Sequence, residues 1–363
     1  MQIALQHNAP KFKTGVQRLN GRSTKALVGI SLLLAGVPGT LLAQQPAPGV
    51  AINTGGEAGA YHSAFCPVLA ARMKEGGVSA RCVPSRGTRE NLERVLAEPS
   101  QFGYGQLDVF ALESSLLSAR KSFQILRQDD ARECLFAVTK NRSITSFGAL
   151  SLFAKNMAVF LPPIESGSAG TFQFLSTVDD DGLGRAKAVA HAASADEAIR
   201  QALASDDGVA FFVQFPDSSN ERFQAIKRLG GHLVPVIDRD ILRQEVEGRR
   251  VYFAEETEIE NPSFVSDGGK LTTACTPLIV FSGTSDRLTS DEARRAHDAT
   301  ATAIKLLRHE NLTPREPNLQ RIARRSRELS STALDRLTRT SELARARAKP
   351  FLDWAIERAA PRI

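Results

Sequence analysis

The 363-residue sequence lacks several short motifs on which common enzyme classes depend. Its four cysteines include no Cys-x-x-Cys pair, and its six histidines are scattered along the chain. No Gly-x-Ser-x-Gly elbow surrounds Ser166 or Ser168, and the first glycine-rich loop does not fit the Gly-x-Gly-x-x-Gly fingerprint. These absences argue against hydrolase and dinucleotide chemistry. We therefore predict that the chain is not an enzyme and holds no cofactor.

A metal site is equally poorly supported. His62 and Cys66 are four residues apart, as two ligands on one helix face would be, but no third ligand lies nearby in the sequence. We expect no metal.

The sequence also lacks an apolar run of the roughly 20 residues that cross a bilayer. Its first 43 residues carry five basic side chains and no acidic one, followed by an apolar run from Ala26 to Ala35 and a small residue, Ala43. This order predicts a signal peptide over residues 1–43, with an uncleaved anchor as the alternative. No cysteine follows the run, which argues against a lipoprotein. Export predicts a periplasmic location.

Positive charge is concentrated at the two ends of the chain. The net charge is +6, but the leader and the tail from Arg315 onward hold the excess, which leaves the body with about −5. The basic balance therefore does not indicate a nucleic-acid partner. We predict that residues 315–363 form helices that pack on the first lobe. The alternative is contact with anionic lipid or a membrane partner.

Short apolar runs alternate with helical patterns through most of the body. Three strand–loop–helix units lie between Ala51 and Leu112, and a second series begins at Met157. This alternation predicts an α/β fold with parallel strands, whose ligands bind at the carboxyl ends of the strands. Two longer apolar strands, around Cys134 and Cys275, would join the series. We predict lobe 1 over residues 44–135 and 272–314 and lobe 2 over residues 136–271, on a hinge that closes around a ligand.

Four cysteines in an exported chain allow three disulfide pairings. Cys66 and Cys82 fall within one predicted βαβ unit, whereas Cys134 and Cys275 lie on the two joining strands. This placement favours bonds 66–82 and 134–275, with buried free thiols as the alternative.

Five loop or strand motifs occur in a fixed order along the body. They are Thr54-Gly55-Gly56-Glu57-Ala58-Gly59-Ala60-Tyr61, Ser85-Arg86-Gly87-Thr88-Arg89-Glu90-Asn91-Leu92, Gly103-Tyr104-Gly105-Gln106-Leu107-Asp108, Ser166-Gly167-Ser168-Ala169-Gly170-Thr171 and Val209-Ala210-Phe211-Phe212. With these motifs the chain resembles the TAXI family of TRAP-transporter solute receptors, over about residues 50–307. Arg86 departs from the family pattern, which has a small residue there.

The resemblance implies a two-lobed, type II-like periplasmic binding protein fold with a helical C-terminal extension. It also implies capture of a small organic anion or amino acid, glutamate-like or dicarboxylate-like, and delivery to the membrane permease subunits of a TRAP-type transporter. We expect a monomer. A ligand-binding partner of a sensor kinase and, less favoured, an exported enzyme on the same scaffold remain alternatives.

The motif loops supply the candidate ligand-binding residues. Glycines at helix starts leave backbone N–H groups open to a carboxylate, and Arg86 can donate two hydrogen bonds to one, unless it is a solvated arginine paired with Glu90. Asp108 is predicted to cap the next helix. The candidates are Thr54, Gly55, Gly56, Tyr61, Ser85, Arg86, Thr88, Gln106, Ser166, Ser168, Thr171 and Phe215, the last with core packing as its alternative.

Overall fold

The computed structural model describes residues 49–216, 221–260 and 269–308. The predicted signal peptide over residues 1–43 and the predicted C-terminal helices over residues 315–363 lie outside these ranges. Within them, no helix is both long enough and apolar enough to cross a membrane.

Strands and helices alternate along most of the described chain. The strands are β1 (Val50–Asn53), β2 (Ala80–Val83), β3 (Phe102–Gln106), β4 (Phe123–Thr139), β5 (Ala158–Leu161), β6 (Ala188–His191), β7 (Gly208–Gln214), β8 (His232–Pro235), β9 (Glu245–Val246), β10 (Arg249–Arg250), β11 (Phe253–Glu258) and β12 (Lys270–Gly283). The helices are α1 (Cys66–Glu75), α2 (Thr88–Ala97), α3 (Leu107–Leu116), α4 (Phe147–Phe153), α5 (Gly167–Val178), α6 (Ala195–Ala202), α7 (Glu221–Arg228), α8 (Arg239–Leu242) and α9 (Asp291–Leu306). A π-helical turn, Tyr61–Phe65, leads into α1.

Ten of the described strands form one continuous sheet. Its main order is β2-β1-β3-β12-β4-β7-β5-β6, with β11 beside β12 and β8 beside β4. One set of parallel strands, β1 to β3, lies at one end of the sheet, and a second parallel set, β5 to β7, lies at the other. The antiparallel strands β4 and β12 join the two sets. The predicted two-lobed α/β fold is therefore confirmed.

The strand registers bring the carboxyl ends of the two parallel sets together. Gln106, the last residue of β3, pairs with Leu278 of β12. Gln214, the last residue of β7, pairs with Cys134 of β4, which in turn pairs with Cys275 of β12. Since Cys275 and Leu278 are three residues apart, both strands end over the same short part of β12. The loops that follow them must meet there.

Both disulfides favoured from the sequence are present. Cys66 at the start of α1 is bonded to Cys82 of β2. Cys134 and Cys275 are bonded to each other across the two joining strands, and both are fully buried.

Several elements differ from the sequence prediction. The strand predicted around Cys134 is longer than its apolar run: β4 begins at Phe123, because its polar middle is paired rather than looped out. Arg127 donates to Asp129 and to two carbonyls at the end of α9, and Arg132 donates to Glu255. The segment from Arg239 to Glu258, where no motif was identified, contains the single-turn helix α8 and the strands β9, β10 and β11.

Candidate functional site

A cluster of polar side chains occupies the place where the two sets of strands meet. Its members come from the π-helical turn before α1, the end of β3, the starts of α3 and α5, the joining strands, and the segment after β10. They are Tyr61, Gln106, Asp108, Glu133, Thr171, Tyr252 and Thr276. We call this set the cleft cluster.

Asp108 is the centre of one half of the cleft cluster and is fully buried. Its Oδ2 accepts hydrogen bonds from Thr171 Oγ1 at 2.7 Å and from Tyr252 Oη at 2.8 Å. Its Oδ1 accepts from the backbone N–H of Val109 at 2.8 Å and from Thr276 Oγ1 at 3.4 Å. Burial raises the pKa of Asp108, and these four donors oppose the increase. Asp108 is not the N-cap residue of α3, which is Gln106, although its carboxylate does accept one bond from the first turn of that helix. Its other three bonds join α3 to α5, to Tyr252 and to β12.

Glu133 is the centre of the other half and lies on β4, opposite Thr276 of β12. Its Oε2 accepts a hydrogen bond from Tyr61 Oη at 2.7 Å. Burial raises the pKa of Glu133 to about 7, the charge of Asp108 adds to the increase, and hydrogen bonds from Tyr61 and Gln106 oppose it. The same environment raises the pKa of Tyr61 well above its ordinary value, chiefly through burial.

Gln106 connects the cluster to the opposite lobe. Its side chain is 3% exposed, and its amide favours the ionised form of the nearby Glu133. Its Oε1 has no hydrogen-bond partner in the described part of the chain. That oxygen lies against Gly167 at the start of α5, where a Cβ would overlap it. The site therefore contains a buried acceptor that remains unused.

Aromatic rings form one wall beside Glu133. Tyr61 lies 5.9 Å from Tyr104 and 6.1 Å from Phe215, measured between ring centroids, and Phe65 lies 5.1 Å from Phe215. Phe215 thus packs against Tyr61 at the site, which agrees with both its predicted ligand contact and its alternative as a packing residue.

The hydroxyls of the first two motif loops mainly hold the loops together. Thr54 Oγ1 donates to the Val83 carbonyl at 3.0 Å and lies 3.0 Å from His62 Nδ1. Ser85 Oγ donates to the Thr54 carbonyl at 3.2 Å, and Thr88 Oγ1 accepts from the backbone N–H of Gln106 at 3.2 Å. These contacts fix the backbone around the cleft. The glycines Gly55 and Gly56 border the first loop, Gly55 against Tyr61 and Gly56 exposed.

The second loop contacts the loop before α5 across the cleft. Arg86 is exposed and donates to Glu90 Oε2 at 3.0 Å and to Glu165 Oε1 at 3.3 Å. Gly87 has φ +140°, and a Cβ there would lie 3.0 Å from the Glu165 carbonyl. Glycine is favoured at this position by its conformation and by this close approach.

The predicted residues of α5 have different roles. Ser166 Oγ caps the helix by accepting from the backbone N–H of Ala169 at 3.2 Å. Ser168 Oγ accepts from the backbone N–H of Val213 at 2.9 Å, which fixes α5 to β7. Thr171 alone of the three reaches Asp108 in the cleft cluster.

A cavity of about 310 Å³ lies beside the cleft cluster, between α3 and α5. Its lining includes Val109 and Glu113 of α3, Ser166 and Phe172 near and on α5, and His191 of β6.

The cleft cluster contains residues that the sequence interpretation did not select. Tyr61, Gln106 and Thr171 were expected, whereas Asp108 was assigned to a cap, and Glu133, Tyr252 and Thr276 were not identified. A signal for Glu133 was available: an acidic residue beside an apolar strand needs a partner, because burying a charge is costly.

A metal centre is not supported by the cysteines of the joining strands. Cys134, Cys275 and Glu255 place sulfur and oxygen atoms within 4.8 Å of one another. Both sulfurs are bonded in the disulfide, so neither is a thiolate that could bind a metal ion.

Comparison with protein-family models gave no match, and comparison with curated proteins gave none. Among solved structures, the chain is similar to a TctC solute-binding protein from Polaromonas (12% identity, 76% of this chain and 88% of that chain, TM-score 0.40). It is also similar to MatC from Rhodopseudomonas palustris with bound malate (12% identity, 73% and 87%, TM-score 0.40). A third is the GluR0 ligand-binding core in complex with L-glutamate (9% identity, 72% and 94%, TM-score 0.39). Identities this low transfer no residue role.

Proposed function

We propose that this chain is an extracytoplasmic solute-binding receptor of the TAXI kind. It captures a small organic anion or amino acid between its two lobes by hinge closure and delivers it to the membrane subunits of a TRAP-type transporter. The predicted leader over residues 1–43 supports a periplasmic location, and the order of the motif loops supports the TAXI assignment.

The observation that carries this proposal is the contact of Asp108 with Thr171. The carboxylate of Asp108 at the start of α3 and the hydroxyl of Thr171 on α5 are 2.7 Å apart, and both residues are fully buried. Each follows a strand of a different parallel set, so the contact exists only when the two lobes are close together. Polar groups gathered in this way between mobile lobes are expected for a solute-binding cleft.

A binding experiment tests the proposal directly. The chain from residue 44 onward is purified from periplasm without denaturant, and native mass spectrometry detects any small molecule that remains bound. Small-angle X-ray scattering then compares the protein before and after removal of that molecule. We expect one bound solute, recovered chemically unchanged, and a more compact particle when it is present. Steady conversion of the solute would support the enzyme alternative instead.

Delivery to a transporter is tested separately. TRAP-type membrane subunits are reconstituted in vesicles, and solute uptake is measured with and without the purified chain outside. Uptake that depends on the chain supports transport. A bound solute without any effect on uptake would favour the sensor-kinase alternative.

A further inference from the structure

The two carboxylates of the cleft cluster have no basic partner in the described residues. Asp108 receives its four hydrogen bonds from Thr171, Tyr252, Thr276 and a backbone N–H, and all four donors are neutral. Glu133 receives a bond from the Tyr61 hydroxyl and is influenced by the amide of Gln106, and both groups are also neutral. Two nearby acids without a counter-charge form an electrostatically unfavourable arrangement, which a cation would offset.

Glu133 is better placed than Asp108 to receive such a cation. The two oxygens of Asp108 already accept four bonds, which is the full capacity of a carboxylate. Glu133 retains acceptor positions, and the unpartnered Oε1 of Gln106, which lies against Gly167 in the same cluster, is a second acceptor. The acceptors left open in this part of the cleft thus call for a ligand that donates hydrogen bonds.

The aromatic wall points to the same kind of ligand. Tyr61 bonds to Glu133, and Phe215 lies edge-on to Tyr61 with ring centroids 6.1 Å apart. Aromatic faces attract cations through the quadrupole of the ring, and the combination of rings and a carboxylate favours an ammonium group over a second carboxylate.

We propose that the solute carries a positively charged amine, which donates hydrogen bonds to Glu133 and to Gln106 Oε1 beside the rings of Tyr61 and Phe215. An α-amino acid fits this site, because its carboxylate can meet the backbone N–H groups at the start of α5, next to Gln106. This inference rests on the proposed function and narrows its solute class. It favours an amino acid or amine over a dicarboxylate without nitrogen.

The proposed amine predicts whether solute binding releases or takes up a proton. The groups that face Glu133 from the packed elements are the Tyr61 hydroxyl, the Gln106 amide, the Thr276 hydroxyl and the Asp108 carboxylate. With a pKa of about 7, Glu133 is partly protonated at neutral pH. An ammonium group favours the ionised carboxylate, so binding releases a proton and tightens as pH rises toward 8. A nitrogen-free anion would cause proton uptake and weaker binding over the same range.

The experiment uses matched solutes that differ only in the amine. Isothermal titration calorimetry at pH 6, 7 and 8, in phosphate and in Tris buffer, compares L-glutamate with glutarate, L-alanine with propionate, and L-phenylalanine with 3-phenylpropionate. Any molecule retained through purification is identified by mass. We expect an amine in the retained molecule, at least tenfold tighter binding by the amino member of a pair, and proton release.

Two variants test whether Glu133 binds the amine. Glu133→Gln keeps an acceptor but removes the charge, and it should weaken binding of the amine by about tenfold or more and abolish proton release. Glu75→Gln removes the same charge from the exposed end of α1, where Glu75 pairs with Arg72, and it should change neither quantity. Unchanged affinity in Glu133→Gln overturns the inference, and folding of the variant is checked by its unfolding curve.

The failure of this inference is distinguishable from failure of the proposed function. A retained solute without nitrogen, or glutarate that binds as tightly as glutamate, overturns the inference that the solute carries an amine. Either result leaves the proposed receptor function unaffected. If no retained molecule is found and no pair member binds, both proposals are overturned.

Discussion

The Thr171 hydroxyl donates a 2.7 Å hydrogen bond to Asp108 Oδ2, and Tyr252 donates to the same oxygen at 2.8 Å. A residue of α5 and a residue from the segment between β10 and β11 therefore share one buried carboxylate at the start of α3. This shared acceptor couples elements that are 63 and 144 residues from Asp108 in the sequence.

Thr171→Val should destabilise the protein by about 1–3 kcal/mol, because it removes a donor to a buried carboxylate without changing the side-chain shape much. Urea unfolding measures the change. Thr177→Val on the same helix is the matched control, since Thr177 is exposed and bonds only within α5, and it should cost less than about 0.5 kcal/mol. Combined with Tyr252→Phe, the Thr171 variant should be non-additive. Additive costs would contradict a shared acceptor.

Glu133→Gln should change how stability depends on pH. Burial raises the pKa of Glu133 in the folded state to about 7 from its ordinary value of 4.5, so the folded state binds more protons than the unfolded state between these values. The ligand-free protein therefore loses stability as pH rises through this window, by at most about 3 kcal/mol. The variant lacks this loss and should be more stable than the parent above pH 7. The free energy of unfolding of both proteins is measured from pH 4.5 to 8. If it changes with pH in the same way in the parent and in Glu133→Gln, the prediction is wrong.

Gly87→Ala should destabilise the closed arrangement by about 1–2 kcal/mol, because φ is +140° and the added Cβ would lie 3.0 Å from the Glu165 carbonyl. Gly56→Ala is the control, since a Cβ there meets nothing within 4 Å and φ is not positive. Thermal unfolding and solute affinity should both decrease in the first variant and remain nearly unchanged in the second. Equal effects of the two changes would exclude a close contact at Gly87.

Arg86→Gln should weaken solute binding severalfold at low salt, because Arg86 joins the second loop to Glu165 across the cleft. Since the pair is exposed, this effect should disappear at about 0.5 M salt. Arg72→Gln, which breaks an exposed pair with Glu75 on α1, should have no effect on binding at either salt concentration. A tenfold loss that persists at high salt would instead place Arg86 on the solute.

The two disulfides should differ in their contributions to stability. The Cys134–Cys275 bond closes a loop with a sequence separation of 141, whereas Cys66–Cys82 spans 16. In the chain-entropy treatment, loops of these lengths are worth about 5 and about 3 kcal/mol. Double alanine variants at each pair, compared by urea unfolding, should show the larger loss for Cys134 and Cys275. The opposite order would mean that the folded state, rather than loop length, sets the difference.

The order of strands and loops could be predicted from the sequence, because each unit is local. An apolar run, a small-residue loop and a helical pattern follow one another within about 30 residues, as in Ala51 to Tyr61 and its helix. The joining strands and their disulfide followed from two apolar runs around Cys134 and Cys275. Helix α5 begins at Gly167, directly after Ser166, and serine is a typical N-cap residue.

The cleft cluster could not be predicted in the same way. The role of Asp108 depends on Thr171, Tyr252 and Thr276, which lie 63 to 168 residues away, and local pattern gives only the helix start. Glu133 follows a polar stretch of the sequence, and its pairing with Thr276 across the sheet fixes where its side chain lies. The pairing register of distant strands therefore determines which side chains meet in the cleft cluster, and that register cannot be inferred from local sequence patterns.

The register of the two joining strands also limits how the lobes can move. Cys134 and Cys275 face each other directly in β4 and β12, and their covalent bond prevents either strand from sliding along the other. The lobes can then move relative to each other only by bending or twisting of β4 and β12, whose pairing register stays the same. Each opening and reclosure would follow the same trajectory, and Asp108 would return to the same hydroxyls every time.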